Sequence, residues 1–368
     1  MRWPFGNLPS RLVVFTGLPL LAILIGVAVA IASNPTSFTR TRGAGTYTSA
    51  GEPSPSPTDS TPLPSVTSPG VLGDGAKLFA GGTGVLIGLG PSLIEESADA
   101  GKTWTSMQPP TGGSGIAVDP TNPQYAITGG SSIQVTTNGG ASWKATRTSP
   151  PGSRQYQPLQ VSPFINTVWF LIHQQSLLRT RDASVSWREL AGLPPLASPV
   201  MTPGTVVGQF FLATGNRVFE LIDNGQRILE LPALPQGVTV TQLAVVAGDP
   251  PSLLARGGQN GAYLMKGNTW SVVGGGLNGP VGVGAGGTLL VGDGGDKLGV
   301  PGAISYSTDG GSTWGSAIGL PYDQSVEAIT QGNPTTLFAY CYGGDIYTST
   351  DSGRSWSLLG RGLRTTTG

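Results

Sequence analysis

Short apolar runs separated by glycine, proline and asparagine recur along most of the chain. In one stretch, apolar segments at 115–118, 125–127 and 133–136 alternate with a proline-rich turn at 119–123 and a glycine-rich turn further on. Runs of this length bounded by turn residues are typical of β-strands and hairpins, and no amphipathic stretch of helical length competes with them. The pattern predicts an all-β domain over residues 71–368.

The beginning of the chain has a different pattern. Residues 12–32 form an uncharged run, LVVFTGLPLLAILIGVAVAIA, which as a helix would span about 31 Å and match the ~30 Å hydrocarbon core of a bilayer. We expect a transmembrane signal-anchor helix there, preceded by a cytoplasmic tail at 1–11. The alternative is a signal peptide cleaved near Ala32, because Ala30-Ile31-Ala32 fits the small-residue cleavage pattern.

Residues 33–70 contain 7 Pro, 8 Ser and 8 Thr. Such a composition is typical of an extended, disordered linker, since it offers almost nothing apolar to bury. A basic tail, an apolar helix, a linker and a large domain together predict a single-pass cell-membrane protein with the domain outside the cytoplasm. No Asn-x-Ser/Thr sequon with a permitted central residue occurs, which favours a bacterial source.

The domain repeats itself with a period of about 42 residues. The template is S/T-x-D-x-G-x-S/T-W, and two copies are degenerate, one with isoleucine in place of tryptophan and one on a shortened turn. The copies end at Trp104, Trp143, Trp187, Ile228, Trp270, Trp314 and Trp356, with spacings of 39, 44, 41, 42, 44 and 42 residues. This period belongs to propeller repeats of four strands per blade. We therefore expect a seven-bladed β-propeller; because the first unit is the weakest, six blades with an N-terminal extension is the alternative.

The repeat resembles the Asp-box, or BNR, motif of sialidase-like, sortilin-like and photosystem II stability/assembly factor-like β-propellers. Physically, an Asp or Asn at the start of a tight hairpin accepts hydrogen bonds from backbone amides, glycine takes a positive φ, and the tryptophan buries its ring. Ser184 replaces the glycine in the third copy, so that turn is expected to be strained or of another type. The residues expected to have this structural role are Asp99, Gly101, Trp104, Asn138, Gly140, Trp143, Asp182, Trp187, Asp223, Trp270, Asp309, Gly311, Trp314, Asp351, Gly353 and Trp356.

Composition argues against several classes of chemistry. The 20 basic and 20 acidic residues balance, so the excess of Lys and Arg that a nucleic-acid binder uses to neutralise phosphates is missing. The single cysteine, Cys341, excludes an intrachain disulfide, and the single histidine, His173, excludes a multi-histidine zinc site. No nucleic acid, cofactor or metal is expected.

Catalytic residues are scarce. Sialidases of the resembled superfamily use an arginine triad whose first member lies in an F/Y-R-I-P segment, but residues 71–96 contain no arginine and no such segment occurs. Glycoside hydrolysis generally needs two carboxylates across a sugar ring, and the predicted inner strands carry one, Glu327. A pair of Glu327 with Tyr340 or Tyr342 is the weak catalytic candidate, and His173 is expected to be a satisfied strand histidine.

The sequence thus favours a membrane-anchored, extracytoplasmic propeller that is more a binding or assembly/scaffold module than an enzyme. Its ligand would be a protein or a glycan held at one face, and one version of this role is suggested by the photosystem II assembly factors that it resembles. Two alternatives remain: an exported glycoside hydrolase of sialidase type, and a structural cell-surface component.

Overall fold

A computed structural model describes the chain from residue 77 to residue 360, with gaps. The described residues are 77–81, 85–89, 94–97, 105–107, 113–119, 122–150, 156–274, 277–292, 304–321, 324–333, 335–341 and 345–360. They form seven antiparallel sheets of four strands each, here numbered sheets 1 to 7 in chain order. Within each sheet the strands follow the chain order from one edge to the other, so every sheet is a simple meander.

The first four sheets span residues 77–230. Sheet 1 consists of β1 (Lys77–Gly81), β2 (Val85–Leu89), β3 (Ile94–Ser97) and β4 (Thr105–Met107). Sheet 2 consists of β5 (Gly113–Asp119), β6 (Asn122–Gly130), β7 (Gln134–Thr136) and β8 (Lys144–Ala145). Sheet 3 consists of β9 (Gln157–Val161), β10 (Trp169–His173), β11 (Ser176–Thr180) and β12 (Arg188–Glu189). Sheet 4 consists of β13 (Val200–Pro203), β14 (Phe210–Thr214), β15 (Arg217–Ile222) and β16 (Arg227–Glu230).

The last three sheets span residues 242–360. Sheet 5 consists of β17 (Gln242–Val246), β18 (Ser252–Arg256), β19 (Ala262–Lys266) and β20 (Thr269–Val273). Sheet 6 consists of β21 (Val281–Val283), β22 (Leu289–Gly292), β23 (Ile304–Ser307) and β24 (Gly315–Ser316). Sheet 7 consists of β25 (Val326–Asn333), β26 (Thr336–Cys341), β27 (Ile346–Ser349) and β28 (Ser357–Gly360). Two 3₁₀ turns lie at Gly258–Asn260 and Ala285–Gly287.

The core consists of apolar layers between consecutive sheets. Phe170 of β10 meets Phe210 of β14 edge-on with ring centroids 4.8 Å apart, and the cluster around them joins sheets 3 and 4. Equivalent clusters join sheets 2 and 3, 4 and 5, 5 and 6, and 6 and 7. Every residue of β10 and of β14 is buried because each of these strands is covered on both faces. This explains why these strands are continuous apolar runs and do not alternate.

From sheet 2 to sheet 7, the first strand of a sheet lies next to the first strand of the following one. These contacts run from β5 to β25 in chain order, and β25 also contacts β1 of the first sheet. At one such junction, Gln242 joins sheets 5 and 6: its Nε2 donates to the carbonyl of Val281 at 2.9 Å, and its Oε1 accepts from the amide of Val281 at 3.0 Å. The contact between β25 and β1 brings the two ends of the domain together, as closing a ring requires.

The strands agree with the sequence pattern. The apolar segments predicted at 115–118 and 125–127 lie in β5 and β6. The all-β prediction is confirmed, and the meander of four-stranded sheets is that of a β-propeller.

The predicted localisation is wrong. Among the residues that the structure describes, no helix is long and apolar enough to cross a membrane, which contradicts a single-pass membrane protein. The described chain consists of strands of 2 to 9 residues and of 3₁₀ turns. The segment at 12–32, on which the spanning helix was predicted, and the linker at 33–70 lie outside the described residues.

Candidate functional site

Two kinds of loop share one end of each sheet. Backbone hydrogen bonds join the turn between the third and fourth strands to the start of the second strand or the turn before it: Gly139 donates to Gln124 near the start of β6 in sheet 2, and Asn224 donates to Gly208 in the turn before β14 in sheet 4. We call this end the box end, because the repeat motif forms its turns between third and fourth strands. The other loops lie at the opposite end.

The acidic residue of each box organises its turn. In sheet 6, Asp309 Oδ1 accepts from the hydroxyl of Ser307 at 2.8 Å and from the amide of Thr313 at 2.9 Å, while Oδ2 accepts from the Thr313 hydroxyl at 2.6 Å. The boxes of Asp182 and Asp351 repeat these bonds. In sheet 2, Asn138 keeps part of the pattern without a charge. Asp99, Gly101 and Trp104 lie outside the described residues.

These hydrogen bonds stabilise the ionised carboxylates. Bonds from Ser186 and Thr180 lower the pKa of Asp182 to about 2, and bonds from Thr313 and Ser307 hold the pKa of Asp309 well below its ordinary range. Burial would raise the pKa of Asp351, but the bonds from its neighbours outweigh it and the net shift is downward. A carboxylate held this firmly in its charged form is poorly suited to donate a proton at neutral pH.

The glycine two positions after the acidic residue has a positive φ in each described box where glycine is present. It is +80° at Gly140, +90° at Gly311 and +87° at Gly353. A side chain is also excluded by contact, since a Cβ on Gly353 would lie 2.5 Å from Leu290 Cδ2 of the preceding sheet. The glycine therefore serves both the turn and the packing between sheets.

Ser184 takes the same conformation without being glycine, with φ at +73°. Its side chain is buried, and its Oγ accepts from the Arg147 amide at 3.1 Å, while its carbonyl accepts from the Thr148 hydroxyl. The turn is thus the same as in the other boxes, and polar contacts with the preceding sheet hold the serine in a conformation that costs non-glycine residues energy.

The tryptophans are less buried than the motif suggested. Of the described box tryptophans only Trp356 is fully buried, and its Nε1 donates to Gly353. The others are half-buried, and two of them donate to carbonyls of the preceding sheet's connection, Trp187 to Thr148 and Trp270 to Pro232. The half-buried tryptophans are Trp143, Trp187, Trp270 and Trp314. These side chains lie at the junctions between sheets and not at the centre of a core.

The degenerate fourth box keeps the turn with other bonds. Asp223, Asn224 and Gly225 all have positive φ, at +54°, +57° and +78°. Asp223 is bonded to Arg227, with 3.2 Å between carboxylate and guanidinium. The carbonyl of Asn224 accepts from the guanidinium of Arg179, which comes from the preceding sheet.

The structure describes two of the three weak catalytic candidates. Glu327 is exposed on β25, but the side chain of Tyr340 is buried at 1 % exposure, and Tyr342 lies outside the described residues. A second carboxylate, Asp119, ends the inner strand β5 and is buried, with its Oδ1 accepting from the Asn122 amide at 3.2 Å. Asp119 is at the end of its strand and Glu327 near the start of the equivalent strand, so these carboxylates lie at opposite ends of the sheets.

His173 and Cys341 are packing residues at the ends of buried strands. The His173 ring lies against that of Tyr156, with centroids 5.3 Å apart. Burial, with the charges of Asp345 and Glu327, raises the pKa of Cys341 to about 12, so its thiol stays protonated at neutral pH. Within the described ranges, no three His, Cys, Asp or Glu side chains are grouped as ligands for a metal ion.

An exposed apolar surface lies at the box end of two adjacent sheets. Phe164 and Ile165 lie in the loop after β9, and Val206 and Val207 in the loop after β13; their exposed fractions are 41, 39, 58 and 65 %. The strands β9 and β13 contact each other, so their loops are neighbours. We call these four residues the apolar loop surface. Sequence reasoning missed it, although apolar pairs flanked by proline or glycine in predicted turns were a visible signal.

No protein-family model and no curated protein matches this sequence. Solved structures do show similarity. The GH74 enzyme of Niastella koreensis has 15 % sequence identity and a TM-score of 0.55, over 79 % of this chain and 43 % of that one. This chain thus spans less than half of that enzyme.

The β-propeller domain of Cps50 (Swd1) from Myceliophthora thermophila has 9 % identity and a TM-score of 0.53, over 75 % of this chain and 96 % of that one. YCF48 bound to D1 peptide has 17 % identity over 66 % of this chain and 80 % of that one, with a TM-score of 0.49, and a likeness this weak supports no inference. The chain has a β-propeller fold. At such low identity the fold alone is shared, and it does not choose between enzyme and binding module.

Proposed function

We propose that this protein is a non-enzymatic β-propeller module that binds a protein partner through the apolar loop surface. The observation that carries the proposal is the exposure of four apolar side chains on two neighbouring loops. Contiguous exposed apolar residues on a soluble domain are characteristic of interaction sites, because leaving them in water costs free energy that a partner recovers. Valine and isoleucine favour the apolar side chains of a protein over the ring faces of a sugar.

The proposal includes an architecture and a role for the motif. We infer that the seven sheets are the seven blades of one closed ring of Asp-box type, and that the motif residues are structural. The contact between β1 and β25 supports closure, and the repeated hydrogen bonds of Asp182, Asp309 and Asp351 support the motif assignment. The box turns would then present the apolar loop surface on a rigid base.

A pair of double variants tests the binding proposal. The full chain, tagged for purification, is isolated from cells that naturally produce it, and co-purifying proteins are quantified by mass spectrometry. Val206→Asp with Val207→Asp should reduce recovery of the partner about tenfold or more, because a buried interface loses over 1.4 kcal/mol when charges enter it. Leu229→Asp with Val272→Asp is the matched control on the outer strands, where both residues are also exposed. Equal recovery of every protein by both double variants would overturn the proposal.

One observation favours a second function, glycoside hydrolysis. Glu327 is exposed, and its charge and that of Asp345 both act on Cys341, so the two carboxylates share the end of sheet 7 opposite the boxes. Two carboxylates near an inner strand are what such chemistry requires. Turnover of a glycoside panel by the full chain that disappears in Glu327→Gln would establish this function and refute the non-enzymatic one.

A further inference from the structure

The contact between sheets 3 and 4, here called the cleft, contains an arginine that is buried without a counter-ion. Arg179, on β11, is 5 % exposed. Its neighbours across the strands are Phe170 and Arg188, and because Phe170 packs against Phe210 of sheet 4, this side of sheet 3 faces sheet 4. A buried guanidinium is costly unless its charge and its donors are matched.

Two further arginines surround it. Arg188 is paired with Arg179 in the strand register, and Arg181 follows two residues later. Both are exposed and open to solvent, and both are close enough to act on the Arg179 guanidinium electrostatically. Burial and these two positive charges lower the pKa of Arg179. Three positive charges are thus gathered at one edge of the cleft.

The carboxylates nearby are engaged elsewhere. Asp182 accepts hydrogen bonds within its own box, Glu189 accepts from Ser176 at 2.6 Å, and Asp223 is paired with Arg227. In the part of the chain that the structure describes, neither Arg179 nor the two arginines beside it forms an ion pair.

Polar atoms at the same contact are left without partners. One Arg179 nitrogen donates to the carbonyl of Asn224, but the Arg179 Nε and the Asn224 Oδ1 are buried with no hydrogen-bond partner among the described residues. Both side chains are more than nine-tenths buried. A water molecule would satisfy both atoms but would bring no negative charge to the three guanidinium groups. An oxyanion accepts from the Arg179 Nε and supplies that charge, while the Asn224 Oδ1, which is itself an acceptor, takes a hydrogen bond from a separate donor such as water.

We propose that Arg179, Arg181 and Arg188 form a binding site for an oxyanion group at the edge of the cleft between sheets 3 and 4. The ligand class is a phosphate, sulfate or carboxylate group, since guanidinium forks match the geometry of these groups. The exposed Arg181 and Arg188 admit the anion, and Arg179 binds it from the cleft. The site lies on the third and fourth strands of its sheet, away from the inner strands. The Asn224 turn beside it is hydrogen-bonded to Gly208, the residue after Val207 of the apolar loop surface.

Isothermal titration of the full chain tests the site. Sodium sulfate, sodium phosphate and sodium acetate are titrated separately at neutral pH, with ionic strength held constant by sodium chloride. We expect saturable binding of at least one of the three, and the one bound most tightly identifies the oxyanion class. The double variant Arg181→Gln with Arg188→Gln should bind that anion about tenfold or more weakly, since each lost charge-assisted hydrogen bond weakens anion binding.

The control double variant removes two positive charges away from the proposed site. Arg217→Gln with Arg354→Gln removes an arginine of sheet 4 that is paired with Glu230 and an exposed arginine of the seventh box, and it should bind the anion within about twofold of the unmodified chain. Circular dichroism checks that both double variants are folded, which is expected because all four arginines are outside the core. The absence of saturable binding in the unmodified chain, as an internal water alone would give, overturns the proposal. Equal affinity of the two double variants also overturns it.

Discussion

Ser184 shows how one box tolerates a residue that the motif does not favour. Its φ of +73° is close to the φ of the glycines in the other boxes. Its hydroxyl accepts a hydrogen bond from the Arg147 amide, which helps to hold this conformation. The sequence indicated an unusual turn here. Only the position of the neighbouring sheet explains why it has the ordinary geometry.

Removing that hydroxyl should destabilise the domain. In Ser184→Ala the positive φ remains and the part-buried hydrogen bond from the Arg147 amide is lost, which costs about 0.5–1.5 kcal/mol. In Ser184→Gly the strain of about 1 kcal/mol is relieved at the same time, so the loss should be smaller. Urea unfolding of the three proteins measures both values. An alanine variant as stable as the glycine variant would contradict this account.

The charge of Asp182 should make stability depend on pH. Its pKa is lowered from 3.8 to about 2 in the folded chain, so its hydrogen bonds contribute stability above pH 3.8 and this contribution is lost as the pH falls toward 2. Asp182→Asn resembles the Asn138 box and cannot titrate. The difference in unfolding free energy between the original chain and Asp182→Asn should therefore shrink between pH 4 and pH 2, as urea unfolding at several pH values would show. A difference that is constant over this range would be evidence against the assignment.

At the scale of the element, each box turn is also a contact between sheets. The glycine of the seventh box packs on Leu290 of sheet 6, and the glycine of the sixth, Gly311, would place a Cβ 2.9 Å from Val273 of sheet 5. Each box turn has to reach the same place on the preceding sheet, and this requirement accounts for the regular 42-residue spacing of the boxes. The sequence predicted the turn but not the residue on which its glycine packs. For Gly353 that residue is Leu290, more than 60 positions earlier in the chain, and the motif contains no information about it.

A matched pair of glycine substitutions separates the cost of the positive φ from the cost of the clash with the neighbouring sheet. Gly353→Ala introduces both an unfavourable positive φ and a clash with Leu290, whereas Gly215→Ala introduces a positive φ of +58° in open space. We expect a loss of about 1 kcal/mol for Gly215→Ala and of about 2–4 kcal/mol for Gly353→Ala. Thermal or urea unfolding measures both losses of stability. Similar losses for the two variants would mean that the packing contact is unimportant.

At the scale of the whole molecule, the layers between sheets make the domain interdependent. Sheet 7 covers Leu290 and Ile304 of sheet 6 and meets sheet 1 through β25 and β1. No sheet can be removed without exposing an apolar face of the neighbouring sheet to water.

Removal of sheet 7 should therefore unfold or aggregate the whole domain. A chain lacking residues 324–368 is expected to lose cooperative thermal unfolding and to elute as aggregates in size-exclusion chromatography, because an apolar face of sheet 6 becomes exposed. A chain lacking only 361–368, which follow the last strand, should behave like the full chain. A monomeric, cooperatively unfolding product of the longer truncation would show that the sheets are independent.

The sequence by itself determined the all-β class, the strand positions and the turn chemistry of the repeat, because these depend on residues within one 42-residue unit. Its prediction of a single-pass membrane protein failed, since the described part of the chain contains no helix able to span a bilayer. The sequence did not indicate that Glu327 is exposed and Tyr340 buried, because the exposure of these side chains depends on the neighbouring sheets. Tertiary structure alone decided which apolar residues stay exposed and that Arg179 is buried without a counter-ion. Both follow from how separate sheets pack against each other, and a local sequence pattern does not contain that information.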